Sequence, residues 1–257
     1  MDTLSSKIVW ITGAGTGIGR GGALALASAG AHLVLSGRRQ AQLDQVAEQV
    51  VASGGSADVV PLDIINRAAV DACVERIVEA HGRLDILVNS AGLNVPKRRW
   101  RDLGAEDWNT VIDVDLNGAF NVCHASLAVM RRQRDGLIIN VSSMASQRVT
   151  GVSGPAYTAA KTALNAMNES INFENCHLGI RACALCPGEV ATEILDKRPA
   201  PPSADERAKM VQEEDVGRTI LFIAQMPAHV CLNEIHITPT WNRGYLGASD
   251  RQVPRDD

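Results

Sequence analysis

The chain has few aromatic residues, no long apolar run and no large excess of either charge, and each shortage narrows what it can do. Aromatics make up 4% of the residues, which gives no sign of a large aromatic-lined pocket, although a bulky substrate is not excluded by it. The apolar runs, such as 8–11 and 31–35, are of strand length, far from the ~20 residues that cross a bilayer. The net charge of −4, with 21% charged residues, disfavours nucleic acid and anionic membrane as partners. The first residues, Met1 to Lys7, carry no apolar signal-peptide core, so a cytoplasmic location is expected. The six cysteines, Cys73, Cys123, Cys176, Cys183, Cys186 and Cys231, are scattered through apolar segments, as suits reduced thiols. Cys183 and Cys186 form a C-x-x-C with no second pair in a strand-like run. A buried structural role is expected there, and no metal.

What is present is enough apolar material, 46% of 257 residues, to build the core of one α/β domain. Short β-rich runs at 8–12, 31–36, 57–62, 84–89, 136–141, 180–186 and 234–237 alternate with segments of helical period, such as 41–52 and 68–80. Continuous apolar strands separated by amphipathic helices predict a parallel sheet covered on both faces. Right-handed crossovers make it a Rossmann-like doubly wound sheet of about seven strands. No repeat, linker or boundary interrupts the pattern, so residues 1–257 are read as one domain with its core at 7–237. Pro199-Ala200-Pro201-Pro202 is a low-complexity patch, and Ser203-Ala204-Asp205-Glu206 after it is a helix-start signal.

The first strand ends at Thr12 and runs into Gly13-Ala14-Gly15-Thr16-Gly17-Ile18-Gly19, followed by an Ala-rich helical segment. Glycines there let the backbone turn sharply and approach a pyrophosphate, whose charge the helix N-terminus stabilises. Downstream, Ser143 follows a strand, and Tyr157 and Lys161 lie four residues apart, on one face of a helix. A phenol beside an ammonium is a proton-transfer pair, because the positive charge favours the phenolate.

The glycine spacing G-x-x-x-G-x-G, together with Asn89-Ser90-Ala91-Gly92, the Tyr157/Lys161 pair and Pro187-Gly188-Glu189-Val190-Ala191-Thr192, resembles the short-chain dehydrogenase/reductase family from about residue 7 to 237. Ser90 stands where the family usually has a second Asn. The resemblance implies a nicotinamide dinucleotide held by Gly13, Thr16, Gly17, Ile18 and Gly19, by Asp63 and Ile64 at the adenine, and by Asn89, Ala91 and Gly92. It also implies contacts from Tyr157 and Lys161 and, at the nicotinamide, from Pro187, Gly188, Val190 and Thr192. The second strand ends Ser36-Gly37-Arg38-Arg39 with no carboxylate at its tip. An acidic residue there would bind the ribose 2′-hydroxyl of NAD, whereas a hydroxyl and two guanidiniums suit a 2′-phosphate. NADP(H) is therefore expected at Ser36, Arg38 and Arg39, in preference to NAD.

By the same resemblance Tyr157 exchanges the proton with the substrate oxygen, Ser143 holds that oxygen and Lys161 bonds the nicotinamide ribose. The family's fourth residue is an Asn, and here that position is Asp115. Asp115 can still accept a hydrogen bond and pair with Lys161, at some cost to the phenolate-promoting field, and Asn117 is expected to point elsewhere. Residues 193–212 resemble a mobile substrate-covering segment, which a plain surface loop would match nearly as well, with a tail at 238–257. Residues 226–235 resemble an NADP-dependent branch of the family that includes 3-hydroxy-acid and serine dehydrogenases.

The expected activity is oxidoreduction between a secondary alcohol and a ketone, or an alcohol and an aldehyde, on a small molecule. An epimerase or dehydratase on the same scaffold and a non-catalytic NADP(H) sensor are the rivals. The family implies a homotetramer or homodimer with contact faces around 104–132 and 156–177. The basic run Lys97-Arg98-Arg99-Trp100-Arg101 reads either as a solvated loop or as a contact to an anionic substrate, and Arg148 is similarly open. His177 is expected at the surface beside a helix end.

Overall fold

A computed structural model describes residues 4–246 apart from 199, so the part of the expected tail beyond 246 lies outside the described residues. Seven strands form one sheet in the order β3-β2-β1-β4-β5-β6-β7. They are β1 (Ile8–Thr12), β2 (His32–Gly37), β3 (Ser56–Pro61), β4 (Ile86–Asn89), β5 (Gly136–Val141), β6 (Ile180–Pro187) and β7 (Glu234–Ile237). All neighbouring strands pair in parallel. Their ends match the sequence reading to within two residues, the usual margin for strand ends.

The alternation of side chains along β1 shows how the sheet is covered. Val9 and Ile11 face one layer, with Leu26 of α1 (Gly17–Ser28), Leu43, Val46 and Val50 of α2 (Gln40–Ala52), and Ile220 and Ile223 further on. Trp10 between them faces the other layer, with Val70 and Ile77 of α3 (Arg67–His81) and, later, Val122, Met130 and Ile171. Each such fully buried aliphatic side chain contributes roughly 1.5–3 kcal/mol against exposure. Helix ends follow local chemistry: the Asn66 side chain accepts the Ala69 N–H to start α3, and Gly82 ends it in the left-handed region at φ 74°.

The helices α4 (Ala105–Ile112) and α5 (Ala119–Gln133) are joined by a π-helical turn at Asp113–Gly118. The wider turn is where Asp115 enters the interior. The catalytic-type motif lies on α6 (Pro155–Asn175), which starts with Pro at its first turn. The helix-start signal at Ser203 is realised as a reciprocal capping box with Glu206 opening α7 (Ala204–Ala208), and α8 (Glu213–Ala224) packs on α1 and against β5 in the layer that Val9 and Ile11 face. The strand order reverses between β1 and β4, and that switch point opens a crevice at the carboxyl ends of the strands.

Candidate active site

The crevice is a cleft of about 1320 Å³ lined by the glycine loop at one end and by Ser143, Tyr157 and Lys161 near its middle. At the first end, Gly13 and Gly17 adopt φ of 65° and 55°, conformations that side-chain-bearing residues rarely take. A Cβ on Gly13 would sit 2.8 Å from the Ala91 Cα, so the loops after β1 and β4 touch backbone to backbone. Thr12 ties them further, its Oγ1 accepting the N–H groups of Ser90 and Ala91 at 3.2 Å each. The N-terminus of α1 has no side-chain cap and no acidic residue in its first turn. Its N–H groups and positive dipole end are thus left for an anion, and Gly15, Thr16, Gly17 and Ile18 line the cleft in front of it. The residues present therefore fit a dinucleotide pyrophosphate.

Further along this end the cleft is lined by Arg38, Arg39, Asp63, Ile64, Ala91, Gly92, Pro187, Gly188, Val190 and Thr192. Arg39 is exposed, 3.5 Å from the Thr16 hydroxyl and 3.8 Å from Glu193. Three further residues expected at the cofactor, Ser36, Asn89 and Gly19, lie beneath the residues that line the cleft. Ser36 is fully buried and accepts the Trp10 indole N–H at 2.9 Å, because its strand position points its side chain at the Trp10 face. Asn89 is buried between Thr12 and Asn140 at 3.2 and 3.1 Å. Gly19 packs α1 against the loop after β1, since a Cβ there would lie 2.2 Å from the Gly13 carbonyl oxygen.

At the middle of the cleft Ser143 follows β5, its hydroxyl accepting the Ala145 N–H at 3.1 Å, and it lines the cleft together with Tyr157. Ser142 points the other way, into α6, toward the Lys161 carbonyl and Asn165. Tyr157 is half-buried on the first turn of α6, and Lys161, one turn on, is 4% exposed. The Lys161 Nζ lies 5.6 Å from the Tyr157 ring centroid and donates to the Val141 carbonyl at 3.1 Å. Behind it, outside the cleft lining, Asp115 is fully buried; its Oδ1 accepts the Leu93 N–H at 2.8 Å and its Oδ2 sits 3.7 Å from Nζ. Among the described residues Oδ2 has no hydrogen-bond partner. Asn117 is exposed and donates to Asp113 instead.

These surroundings set the proton affinities. Burial pushes the Tyr157 phenol above its ordinary value; Lys161 pulls it down, Asp115 pushes it up, and Ser143 and Arg198 pull it down, with a net rise. Burial also raises Asp115, against the opposing pull of Lys161 and the Leu93 N–H. A bound cationic nicotinamide would add to the pull on the phenol.

Several contributors carry no sequence signal. A buried polar chain runs from Thr12 through Asn89 and Asn140 to Asn168 on α6, each step 3.1–3.2 Å. It links the glycine loop to the helix that bears Tyr157. Glu189, after β6, holds Arg198 at 2.6 Å and Arg243 at 2.8 and 2.6 Å, pinning the 193–210 segment beside the cleft. His177 is exposed at the end of α6. Cys183 and Cys186 are buried free thiols in β6, and burial pushes the Cys183 thiol up to about 12, far from a reactive thiolate. Away from the cleft, His32, Asp58 and His81, and Cys186, Glu234 and His236, bring metal-ligating atoms together.

Comparison with known proteins agrees with this geometry. The family model described as short chain dehydrogenase matches residues 7–202. An uncharacterized oxidoreductase of Staphylococcus aureus (strain MW2) is 34% identical over 93% of this chain and 100% of its own length. An alcohol dehydrogenase from the archaeon Thermococcus sibiricus, complexed with 5-hydroxy-NADP, superposes with a TM-score of 0.83 at 27% identity, covering 92% of this chain and 98% of that one. A metagenomic short-chain oxidoreductase in complex with NADP gives 0.80 at 28% identity, with the same coverage of 92% and 98%. With its seven-stranded parallel sheet and its family match over residues 7–202, this chain belongs to the short-chain dehydrogenase/reductase family of oxidoreductases.

Proposed function

We propose that this protein is an NADP(H)-dependent oxidoreductase that interconverts a secondary alcohol and a ketone, or an alcohol and an aldehyde. The observation that carries this reading is the Ser143–Tyr157–Lys161 constellation opening onto the same cleft as the glycine loop. The glycine loop with Arg38 and Arg39 would hold NADP(H), which would supply the hydride; in reduction the carbonyl carbon would gain it and the oxygen a proton, with NADPH going to NADP⁺.

In this reading Ser143 holds the substrate oxygen and Tyr157 delivers its phenolic proton to it. Lys161, anchored on the Val141 carbonyl, opposes the rise that burial gives the phenol's proton affinity and is available to the nicotinamide ribose. Arg38 and Arg39 support NADP(H) over NAD(H), because guanidiniums match a 2′-phosphate, and the NADP-complexed relatives are consistent with it. Small carbonyl compounds are the substrate class.

The test is NADPH oxidation, followed by absorbance, against aldehydes, keto acids and cyclic and aryl ketones, with Tyr157→Phe alongside. Turnover should fall by about 10²–10⁴-fold in the variant while NADPH binding persists. Turnover that survives in Tyr157→Phe would remove Tyr157 from the chemistry, and tight NADPH binding without any turnover would favour a sensor.

A further inference from the structure

Outside the cleft, the fold brings two imidazoles and a carboxylate to one point. His32 opens β2, Ser56 opens β3 and His81 closes α3. The cluster therefore sits at the amino ends of the strands, away from the cleft at their carboxyl ends. Strand register makes the meeting: His32 pairs with Ser56, and Val34 with Asp58. Residues two apart share a face of a strand, so His32, Ser56 and Asp58 lie on the face that Val34 turns toward α3.

The Nε2 atoms of His32 and His81 each lie 2.9 Å from the same oxygen, Asp58 Oδ2. The three donor atoms are all within 4.8 Å of one another. A tetrahedral zinc ion with ligands at ~2.0–2.2 Å spaces its donors about 3.3 Å apart, so each nitrogen has to part from the oxygen by only a few tenths of an ångström. Ser56 Oγ is 2.9 Å from His32 Nδ1. By accepting that N–H it leaves the Nε2 lone pair facing Asp58 and fixes the ring's direction, as outer hydrogen bonds do for metal-ligating histidines. The His32, His81 and Asp58 side chains are 27%, 18% and 46% exposed, so water reaches the point and completes a coordination shell. The other meeting of such atoms, at Cys186, Glu234 and His236, differs. Glu234 there also accepts from Gln147 and Asn165 at 2.8 and 2.9 Å, and burial raises the Cys186 thiol.

We propose that His32, Asp58 and His81 form a binding site for a divalent transition-metal cation of the zinc class, which clips the edge strand β3 and its neighbour β2 to the end of α3. Two imidazoles and one carboxylate oxygen suit Zn²⁺, whereas Ca²⁺ and Mg²⁺ take oxygen ligands. The ion replaces the protons shared between the Nε2 atoms and Oδ2, which leave to solvent or shift to Nδ1. Its ligands converge only in the folded chain, so it stabilises the fold and stands apart from the chemistry of the cleft.

The test uses the untagged full chain, stripped with a chelator and titrated with Zn²⁺ by calorimetry at neutral pH. One equivalent should bind, and Tm should rise by about 5 °C or more at about a hundredfold excess over Kd, while Ca²⁺ and Mg²⁺ leave it unchanged. His81→Ala and Asp58→Asn should each weaken Zn²⁺ by about tenfold or more, with circular dichroism checking that the fold is kept. Co²⁺ should give visible ligand-field bands that both variants lose. In the wild type, the ring-proton NMR signals of His32 and His81 should shift on adding Zn²⁺, a readout that stands even where a variant fails to fold. Absence of Zn²⁺ binding, or ring signals that stay in place, overturns the proposal. So does binding undiminished in both variants, which would put the ion elsewhere, or an equal rise in Tm from Ca²⁺, which would rule out imidazole ligation.

Discussion

Asp115 stands where the resembled family pattern has an Asn, and that departure has a definite sign. A buried carboxylate 3.7 Å from the Lys161 Nζ draws on the positive field that would otherwise serve Tyr157, and it raises the phenol's pKa directly. Asp115→Asn should therefore move the Tyr157 limb of the pH–rate profile toward lower pH. In reduction, which needs the protonated phenol, activity at alkaline pH should decline earlier; in oxidation, which needs phenolate, activity should rise earlier. Steady-state kinetics across pH in both directions reads this, and superimposable profiles would mean that the carboxylate is chemically silent. Arg39 is a residue-scale matter as well. Exposed near Thr16 and Glu193, it has few structural duties to confuse a test. Arg39→Ala should weaken NADPH by about tenfold and leave NADH little changed, measured by fluorescence titration at physiological salt. Equal weakening of both would assign Arg39 to the loop and not to the 2′-phosphate.

At the scale of elements, the cleft is assembled from loops that three devices hold together: the Thr12–Asn89–Asn140–Asn168 chain beneath it, the Arg98 and Asn94 hydrogen bonds to the Val152 and Ser153 carbonyls on one side, and Glu189 on the other. Burial alone would raise the Glu189 carboxyl, but hydrogen bonds from Arg243 and Arg198 outweigh burial and hold it below its ordinary 4.5. A depressed carboxyl contributes stability above its unfolded pKa and loses it as pH falls through the folded value. The segment at 193–210 should therefore loosen below about pH 4.5. At neutral pH, Glu189→Gln should loosen it too, at a cost of about 1–2 kcal/mol, seen as faster cleavage there in limited proteolysis. An unchanged cleavage rate would show that Glu189 is not its anchor. Much at this scale was legible beforehand. The glycine loop, the Ser143 strand end, the Tyr157–Lys161 spacing and the Ser203 capping box are local patterns, and the structure has the corresponding elements in place. The three buried asparagines were not legible as a chain, because nothing local says that residues 51 and 28 apart will meet. Ser36 shows the same gap: its position beside Arg38 suggested a phosphate contact, while the pleat of β2 turned its hydroxyl to Trp10.

For the whole molecule, surface apolarity and the family point the same way. Phe120 on α5 and Phe173 on α6 are 47% and 84% exposed, in a chain with few aromatics to leave in water, and both lie on the helices expected to make subunit contacts. We expect a homodimer or homotetramer built on these faces, with Phe173→Glu shifting the mass by light scattering toward the monomer. A monomeric wild type would remove the assembly from the picture. The sequence by itself determined the fold class and the order of the elements, since hydrophobic period and turn chemistry are written residue by residue. It also picked out segments that line the cleft, since glycines, a phenol and an ammonium at set spacings need only their own strand–turn–helix context. Only the tertiary structure decided which side chains face the cleft, which lie beneath it, and that the basic loop lines the same cleft as Tyr157. Those outcomes depend on strand register, on a π-helical turn and on contacts between segments far apart in the chain, where the physics is that of packing and burial and not of local preference.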